Sequence, residues 1–149
     1  MSGKLPVSVL VVIHTTALDV LLLERASRPG YWQSVTGSLD RLDEPLAEAA
    51  CRELREETGI EAAGLPLVPW RLANAFEIFA EWRPRFAPGT THNTEHVFGL
   101  RLPGRVDVTL APDEHRSFRW LPWRDAADQC FSWSNRDAIR MLPARSGVA

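Results

Sequence analysis

The chain has 149 residues, of which 45% are hydrophobic and 24% are charged, with a formal net charge of -2. This length and apolar content predict one domain over residues 1–149, with a sizeable buried core. The balanced charge excludes the general basic surface that attracts nucleic acids and anionic membranes, so neither is an expected partner. The composition does not specify an oligomeric state.

The first apolar run, Val7 to Ile13, is too short to span a membrane and lacks a convincing signal-peptide cleavage site. It is typical of a strand buried on both faces, and residues 20–25 are predicted to pair with it antiparallel. Cys51 and Cys130 show neither metal nor redox spacing. The cysteine content therefore favours a reducing, cytoplasmic location.

A helix is predicted over residues 44–58. Asp43 and Glu44 suit the N-cap and first turn, Pro45 suits the first helical position, and Gly59 suits a left-handed stop. One apolar face is formed by residues repeating every four positions: Leu46, Ala50 and Leu54. This face predicts packing against a sheet.

The neighbouring face of the same helix carries three carboxylates. Glu53, Glu56 and Glu57 have i, i+3 and i+4 spacing near the C-terminal end, where the helix dipole disfavours negative charge. A solvated acidic face is the alternative interpretation. A bound cation would relieve the repulsion, and an all-oxygen ligand set favours Mg²⁺ or Mn²⁺ over zinc. Since Mg²⁺ commonly binds carboxylates together with substrate phosphates, a phosphorylated substrate is expected.

The segment from Gly37 to Ile60 resembles the signature of the Nudix family, G-x5-E-x7-R-E-U-x-E-E-x-G-U, where U is a bulky aliphatic residue. The match is complete from Glu44 onward, including the Arg52-Glu53 pair. The departure lies upstream, because six residues rather than five separate Gly37 from Glu44. The resemblance implies an α/β fold, an α/β/α sandwich with a mixed β-sheet.

Downstream of the helix, short apolar runs alternate with turns. Strands are predicted over residues 70–74, 76–82, 92–102, 106–110 and 117–121, and helices over 125–129 and 136–142. His92 and His96 have the spacing of a helical metal pair but fall on a strand, which predicts surface-facing structural positions. Pro143 is expected to end the last helix and to leave a frayed tail over 144–149.

Four short segments resemble one subgroup of the family, the bacterial dihydroneopterin triphosphate pyrophosphatases. They are residues 32–38, 76–79, 86–95 and 132–136. The resemblance implies Mg²⁺-dependent hydrolysis of 7,8-dihydroneopterin triphosphate to the monophosphate and pyrophosphate, in folate synthesis. A core role for the aromatic residues of 76–79 and a helix-capping role for Ser132 are the structural alternatives.

The predicted site has three groups of residues. The predicted metal ligands on the helix are Glu53, Glu56 and Glu57. The family resemblance implies a further carboxylate from a late loop, Glu114, and the Gly37 carbonyl, which is a metal ligand in some relatives. Glu53 or Glu56 is expected to accept a proton from the attacking water, and Arg52 to orient the carboxylates. The substrate is expected to contact Lys4, Arg25, Thr36, Phe76, Glu77, Ile78, Phe79 and Ser132.

Two other functions fit the same residues. A broad nucleoside triphosphate pyrophosphohydrolase is one, because a pterin and a guanine share much of their hydrogen-bonding edge. A non-catalytic module that binds a nucleotide-like ligand is the other, and it depends on the residue inserted after Gly37. In each case the expected partner is a small-molecule triphosphate.

Overall fold

A computed structural model describes residues 3–145 of the chain. The strands are β1 Val7–Thr15, β2 Asp19–Arg25, β3 Trp32–Gln33, β4 Val35–Ser38, β5 Leu67–Glu77, β6 His92–Leu102 and β7 His115–Pro122. The helices are α1 Leu46–Thr58, α2 Trp123–Gln129, α3 Trp133–Arg140 and α4 Leu142–Arg145, with a 3-10 helix at Ala80–Arg85. No helix in this part of the chain is long and apolar enough to cross a membrane.

The strands form one mixed sheet with β1 near its middle. β1 runs parallel to β6, and its other edge pairs antiparallel with β4 over Ser8 to Val11 and with β2 at His14. β3 pairs antiparallel with β2, and β4, which follows it, pairs antiparallel with β1. The short stretch of residues 32–38 therefore lies between β1 and β2 where these two strands separate. This arrangement places Gly37, on β4, opposite Val9, on the face of the sheet that α1 covers.

Alternation along the strands divides the core into two layers. Val9, Val11 and Ile13 pack with the buried face of α1, whereas Leu10 and Val12 pack with α2 and α3. The apolar run at the start of the chain is therefore buried on both faces, as predicted. The α/β/α sandwich with a mixed sheet is confirmed.

The predicted main helix is confirmed except at its start, where Pro45 occupies the N-cap expected for Asp43 and not the first helical position. It begins at Leu46 after Pro45, and it ends at Gly59, whose φ of 75° places it in the left-handed region. Glu44 precedes the helix instead of joining its first turn, because its carboxylate binds Arg52 and the Asp40 backbone N–H.

Two predicted strands are wrong. Residues 70–77 belong to one strand, β5, whose ladder with β6 ends where Glu77 meets His92, so the chain continues into the 3-10 helix instead of the expected strand over 76–82. Residues 106–110 pair with no strand in the described chain, because this segment lies against the end of α1, where the Thr109 N–H donates to the Thr58 carbonyl.

The C-terminal helices also differ from the prediction at their ends. α3 starts at Trp133, three residues before the expected start, and is capped by Ser132, whose hydroxyl accepts from the Asn135 N–H. Pro143 does not end helical structure, since it lies in the first turn of α4, where its missing N–H costs nothing. Of the expected tail, Ala144 and Arg145 belong to α4, and residues 146–149 lie outside the described chain.

Candidate active site

A cavity of about 940 Å³ opens between the exposed side of α1, the β3–β4 segment, the ends of β5 and β6, and the start of α3. All the predicted site residues line it: Lys4, Arg25, Thr36, Gly37, Arg52, Glu53, Glu56, Glu57, Phe76, Glu77, Ile78, Phe79, Glu114 and Ser132. The lining divides into a carboxylate wall, a cationic wall and an aromatic wall.

The carboxylate wall begins with the glutamates of α1. Glu53 and Glu57 are buried, while 49% of the Glu56 side chain is exposed. The Glu53 carboxyl group lies against the Gly37 backbone so closely that a Cβ at Gly37 would overlap it. A side chain at position 37 would therefore displace this carboxylate from its place in the cavity wall.

Arg52 holds the carboxylate wall together. Its Nη1 lies 2.7 Å from Glu53 Oε1 and 3.4 Å from Glu56, while Nε and Nη2 donate to the two Glu44 oxygens at 3.0 and 3.1 Å. Nη2 also donates to the Ser38 carbonyl at 3.1 Å. The hydrogen bonds to Glu44, followed by those to Glu53, raise the pKa of Arg52, so the side chain stays charged.

A second set of ligand atoms lies beside Glu53. Glu57, Glu114 and His115 each offer an atom within 4.8 Å of the others, and Glu57 Oε1 is buried with no hydrogen-bond partner among the described residues. Burial, reinforced by the neighbouring Glu53, holds the pKa of Glu57 well above its usual range, and burial likewise raises that of Glu114. An orphaned buried carboxylate oxygen within an oxygen-rich cluster fits a hard divalent cation.

His115 is a site residue that the sequence interpretation missed. Gln33 accepts a hydrogen bond from Arg25 Nη1 at 3.2 Å, which turns its amide nitrogen toward His115 Nε2, 3.0 Å away. His115 Nε2 must then accept, so the ring hydrogen sits on Nδ1, 3.7 Å from Glu57 Oε1. In this tautomer His115 is a neighbour of the Glu57 and Glu114 carboxylates and not itself a metal ligand. Burial, with the positive charge of Arg25, lowers the pKa of His115 to about 4, so the ring is neutral near pH 7.

The cationic wall consists of Lys4, Arg25 and Arg85. Although Lys4 keeps an exposed surface, the protein around its amine displaces water, and this effect, together with the charges of Arg85 and Arg25, lowers its pKa. Burial and Arg85 likewise lower the pKa of Arg25. Three mutually repelling cations beside a cavity favour a multiply charged anion. Arg85 was not among the residues predicted to contact the substrate.

The aromatic wall adjoins the cationic wall, because the Arg25 guanidinium lies over the Trp82 ring at 4.8 Å from its centroid. Phe76 meets Trp133 edge-on at 6.5 Å between ring centroids, and Phe79, Trp82 and Phe131 pack together at 5.0 to 6.1 Å. Phe79 and Trp133 remain 43% and 44% exposed. Partly exposed rings lining a cavity provide stacking surfaces for a flat ligand. Phe131, Trp133 and Trp82 were not predicted, because they are adjacent to the cavity only in the folded chain.

Three predicted substrate contacts are also engaged within the protein. Ser132 caps α3, and Thr36 donates its hydroxyl to the Val9 carbonyl and its backbone N–H to Glu57. Glu77 forms an ion pair of 2.6 Å with Arg83. Each still lines the cavity, so these internal bonds also fix the shape of its wall.

Comparison with known proteins gives a consistent result. The NUDIX domain model matches residues 4–142. This chain belongs to the Nudix family. It is 44% identical over 142 residues to the dihydroneopterin triphosphate diphosphatase of Escherichia coli (strain K12), covering 93% of each chain. The enzyme of the same name from Haemophilus influenzae is 36% identical over 89% of this chain and 84% of the relative.

A solved structure extends this similarity to three dimensions. The structure of the E. coli dihydroneopterin triphosphate pyrophosphohydrolase matches with a TM-score of 0.89 and 41% identity, covering 95% of this chain and 97% of the other. Nudix hydrolases use divalent metal ions, and the cluster around Glu57 offers the acidic ligands for one.

The residue inserted in the Nudix segment lies in an outward turn. The Glu44 N–H donates to the Arg41 carbonyl at 3.1 Å, closing a turn whose side chains at Arg41, Leu42 and Asp43 are exposed. Glu44 then returns to a buried position and binds Arg52. The exposed turn at residues 41–43 can therefore hold the additional length while Glu44 keeps its hydrogen bond with Arg52.

Proposed function

We propose that this Nudix protein hydrolyses 7,8-dihydroneopterin triphosphate to dihydroneopterin monophosphate and pyrophosphate, a step in folate synthesis, in the cytoplasm. The observation that carries the proposal is the joining of the three walls in one cavity of about 940 Å³. A triphosphate needs cations and metal ligands, and a pterin needs a stacking surface. The similarity to diphosphatases with this substrate in their names supports the same assignment.

The proposed metal is Mg²⁺, with Mn²⁺ as its closest substitute. Glu53, Glu56, Glu57 and Glu114 would hold it, with the carbonyl of Gly37, on the strand that Glu53 lies against, as a further proposed ligand. The fit rests on the oxygen donor set and on the unpartnered Glu57 Oε1. When bound, the ion supplies positive charge that lets phosphate oxygens approach a wall of carboxylates.

The phosphate chain is proposed to lie between the carboxylate wall and the cationic wall. Arg25 and Lys4 can each donate to phosphate oxygens, and Arg85 adds a third positive charge. Burial, followed by the repulsion from neighbouring arginines, lowers the pKa of Lys4 and of Arg25, and a bound anion would relieve the repulsion. These side chains would position the triphosphate for attack by water.

Proton removal from the attacking water is assigned to Glu53 or Glu56. Arg52 contacts both, so it orients the accepting carboxylate and remains charged throughout. The Glu53 carboxylate is held at 2.7 Å and lies against Gly37, whereas Glu56 is held at 3.4 Å and is half-exposed. Comparing the pH profiles of Glu53→Gln and Glu56→Gln would identify the base, because its removal abolishes the acidic limb.

The first test is pyrophosphate release from dihydroneopterin triphosphate, dGTP and dATP, with Mg²⁺ and with a chelator. A clear preference for the pterin in kcat/KM, lost with the chelator, is the expected result. Equal rates for all three would replace the proposal with a broad nucleoside triphosphate pyrophosphohydrolase. Binding without Mg²⁺-dependent release would favour a non-catalytic module.

A further inference from the structure

Two buried oxygen atoms lie in the cavity wall without a role in the chemistry described above. Glu95 and Asn93 are on β6, are 5% and 6% exposed, and line the cavity. Glu95 Oε1 and Asn93 Oδ1 have no hydrogen-bond partner within residues 3–145. Since buried acceptors without donors are costly, such a pair within a cavity wall indicates a missing donor group.

The position of these atoms separates them from the phosphate-binding walls. Alternation along β6 puts Asn93 and Glu95 on the same face as Val97, which packs with the α2 and α3 layer. Ser134, in the first turn of α3, hydrogen-bonds to Glu95. The two acceptors therefore lie on the side of the sheet opposite α1, on the side that carries Trp133.

Both unpartnered atoms, Asn93 Oδ1 and Glu95 Oε1, are hydrogen-bond acceptors. Asn93 Nδ2 donates to Ser8 Oγ at 2.8 Å, which leaves Oδ1 as the unused atom of the amide. Glu95, when ionised, has acceptors only. The two unpartnered acceptors, Asn93 Oδ1 and Glu95 Oε1, therefore favour a ligand that presents more than one N–H group to this part of the cavity wall.

We infer that Glu95, assisted by Asn93, selects substrates whose heterocycle carries adjacent ring N–H and amino donors, the 2-amino-4-oxopyrimidine edge shared by pterins and guanine. Such an edge presents two hydrogens to one carboxylate, whereas adenine presents an amino group beside ring acceptors, which a carboxylate repels. The inference rests on the proposed function, since it names the residues that would recognise the proposed substrate. Glu95 would act as a specificity-determining residue and not as a metal ligand or base.

The environment of Glu95 fits this role. Burial raises its pKa to about 7, against the opposing hydrogen bond from Ser134, and no charged residue contributes to the shift. Within the described part of the chain, the Glu95 carboxyl group therefore has no neighbouring cation that lowers its pKa. Two N–H donors from a ligand would stabilise the ionised form of the poorly solvated Glu95 carboxyl group. Ligand binding and ionisation of Glu95 would therefore favour each other.

The test compares three triphosphates that differ at the recognised edge: dihydroneopterin triphosphate, dGTP, and dITP, which lacks the 2-amino group. For the wild-type chain we expect kcat/KM for dGTP to exceed that for dITP by about tenfold or more, as expected when a site built to bind a donor loses it. In Glu95→Gln, one acceptor is replaced by an amide donor. We expect kcat/KM for dGTP and for the pterin to fall by about 10- to 100-fold and the dGTP-to-dITP ratio to approach one.

The matched control is Glu48→Gln, which removes an exposed carboxylate of α1 outside the cavity and should keep the wild-type ratio. Glutamine is nearly isosteric with glutamate, and circular dichroism with thermal unfolding would verify that Glu95→Gln is folded. An unchanged dGTP-to-dITP ratio in folded Glu95→Gln would overturn the inference while leaving the pterin preference intact. Conversely, a wild-type chain that cleaves dGTP as well as the pterin would overturn the proposed function alone.

Discussion

Gly37 affects the site by having no side chain. A Cβ there would overlap the Glu53 carboxyl group, which is the flexible end of its side chain and can therefore move away at little cost to the fold. We predict that Gly37→Ala keeps its thermal stability but lowers kcat by about 10- to 100-fold, since displacement of a reacting group by about 1 Å has effects of this size.

The matched control for Gly37→Ala is Gly104→Ala, because a Cβ at Gly104 meets no atom within 4 Å. Both variants would be compared by steady-state kinetics with Mg²⁺ and by thermal unfolding. Full activity in Gly37→Ala would show that the position of Glu53 against this strand does not matter for turnover.

Glu57 is the buried carboxylate with an unpartnered oxygen next to Glu114 and His115. We predict that Glu57→Gln lowers turnover by about 100-fold or more, because a neutral amide binds a hard cation poorly. Stability should be preserved or slightly increased, since burial already disfavours the charge at this position. Mn²⁺ affinity, measured by electron paramagnetic resonance, should fall with kcat, and near-normal turnover would contradict the metal cluster.

Glu95 makes stability depend on pH in a direction unusual for a carboxylate. Its pKa in the fold, about 7, lies above the ordinary value of 4.5, so the folded state binds more protons between these two values. The Glu95 contribution therefore destabilises the fold as pH rises from 4.5 to 7, by about 3 kcal/mol in total at 1.36 kcal/mol per pKa unit. Glu95→Gln should lose this dependence.

Urea unfolding at intervals from pH 4.5 to 8 would measure this effect in the wild type and in Glu95→Gln. The difference in unfolding free energy between the two chains isolates Glu95 from the other carboxylates. A difference that stays constant with pH would show that Glu95 is ionised throughout and is stabilised by an interaction that the structure does not show.

The sequence was most informative where one element carries the chemistry. Glu53, Glu56 and Glu57 share a helix face, so their spacing alone predicted a common patch. His115 and Glu95 were not predicted, because each owes its role to partners distant in sequence. Gln33 orients His115 from another strand, and Ser134 of α3 meets Glu95 on β6.

At the scale of elements, prediction failed where an apolar segment lost its pairing partner. The segment after Glu77 has strand-like composition, but the β5–β6 ladder ends there, and Phe79 packs with Trp82 and Phe131 instead. The helix α1 was predicted well because its end signal, Gly59, acts locally through its left-handed conformation.

The loop before α1 provides a test at the same scale. Arg41 is in the exposed turn that contains the inserted residue, and its side chain pairs with exposed Asp43 at 2.9 Å. We predict that deleting Arg41 leaves kcat/KM within about tenfold of the wild type, a barrier change of about 1.4 kcal/mol, because Glu44 can still reach Arg52.

Kinetics of the Arg41 deletion with Mg²⁺ would be compared with those of Arg41→Ala, which removes the side chain but keeps the loop length. Loss of activity in the deletion alone would mean that the longer loop shapes the working site. Loss in both would instead assign a role to the Arg41 side chain.

At the scale of the whole molecule, the cavity depends on the docking of α3 against the sheet. Asn135 is buried and bridges these layers: its Oδ1 accepts from the Ser34 N–H at 2.7 Å and its Nδ2 donates to Ser34 Oγ at 3.0 Å. Ser34 lies between β3 and β4, next to the segment that supports Glu57 through Thr36. One residue thus links the aromatic wall to the strand that lines the metal cluster.

We predict that Asn135→Ala lowers the unfolding free energy by about 2–3 kcal/mol, because the buried Ser34 N–H loses its acceptor as well as one hydrogen bond. KM for the substrate should rise, since Trp133 and Ser132 lie at the freed end of α3, while Mn²⁺ affinity should change little because the ligands lie on α1 and before β7.

Urea unfolding, kinetics and metal titration would be compared with Gln129→Ala, which removes an exposed amide from α2 and should alter none of them. A parallel loss of Mn²⁺ affinity would show that the metal cluster and the aromatic wall form a single cooperative unit, whereas an unchanged KM would show that the docking of α3 does not shape the ligand site.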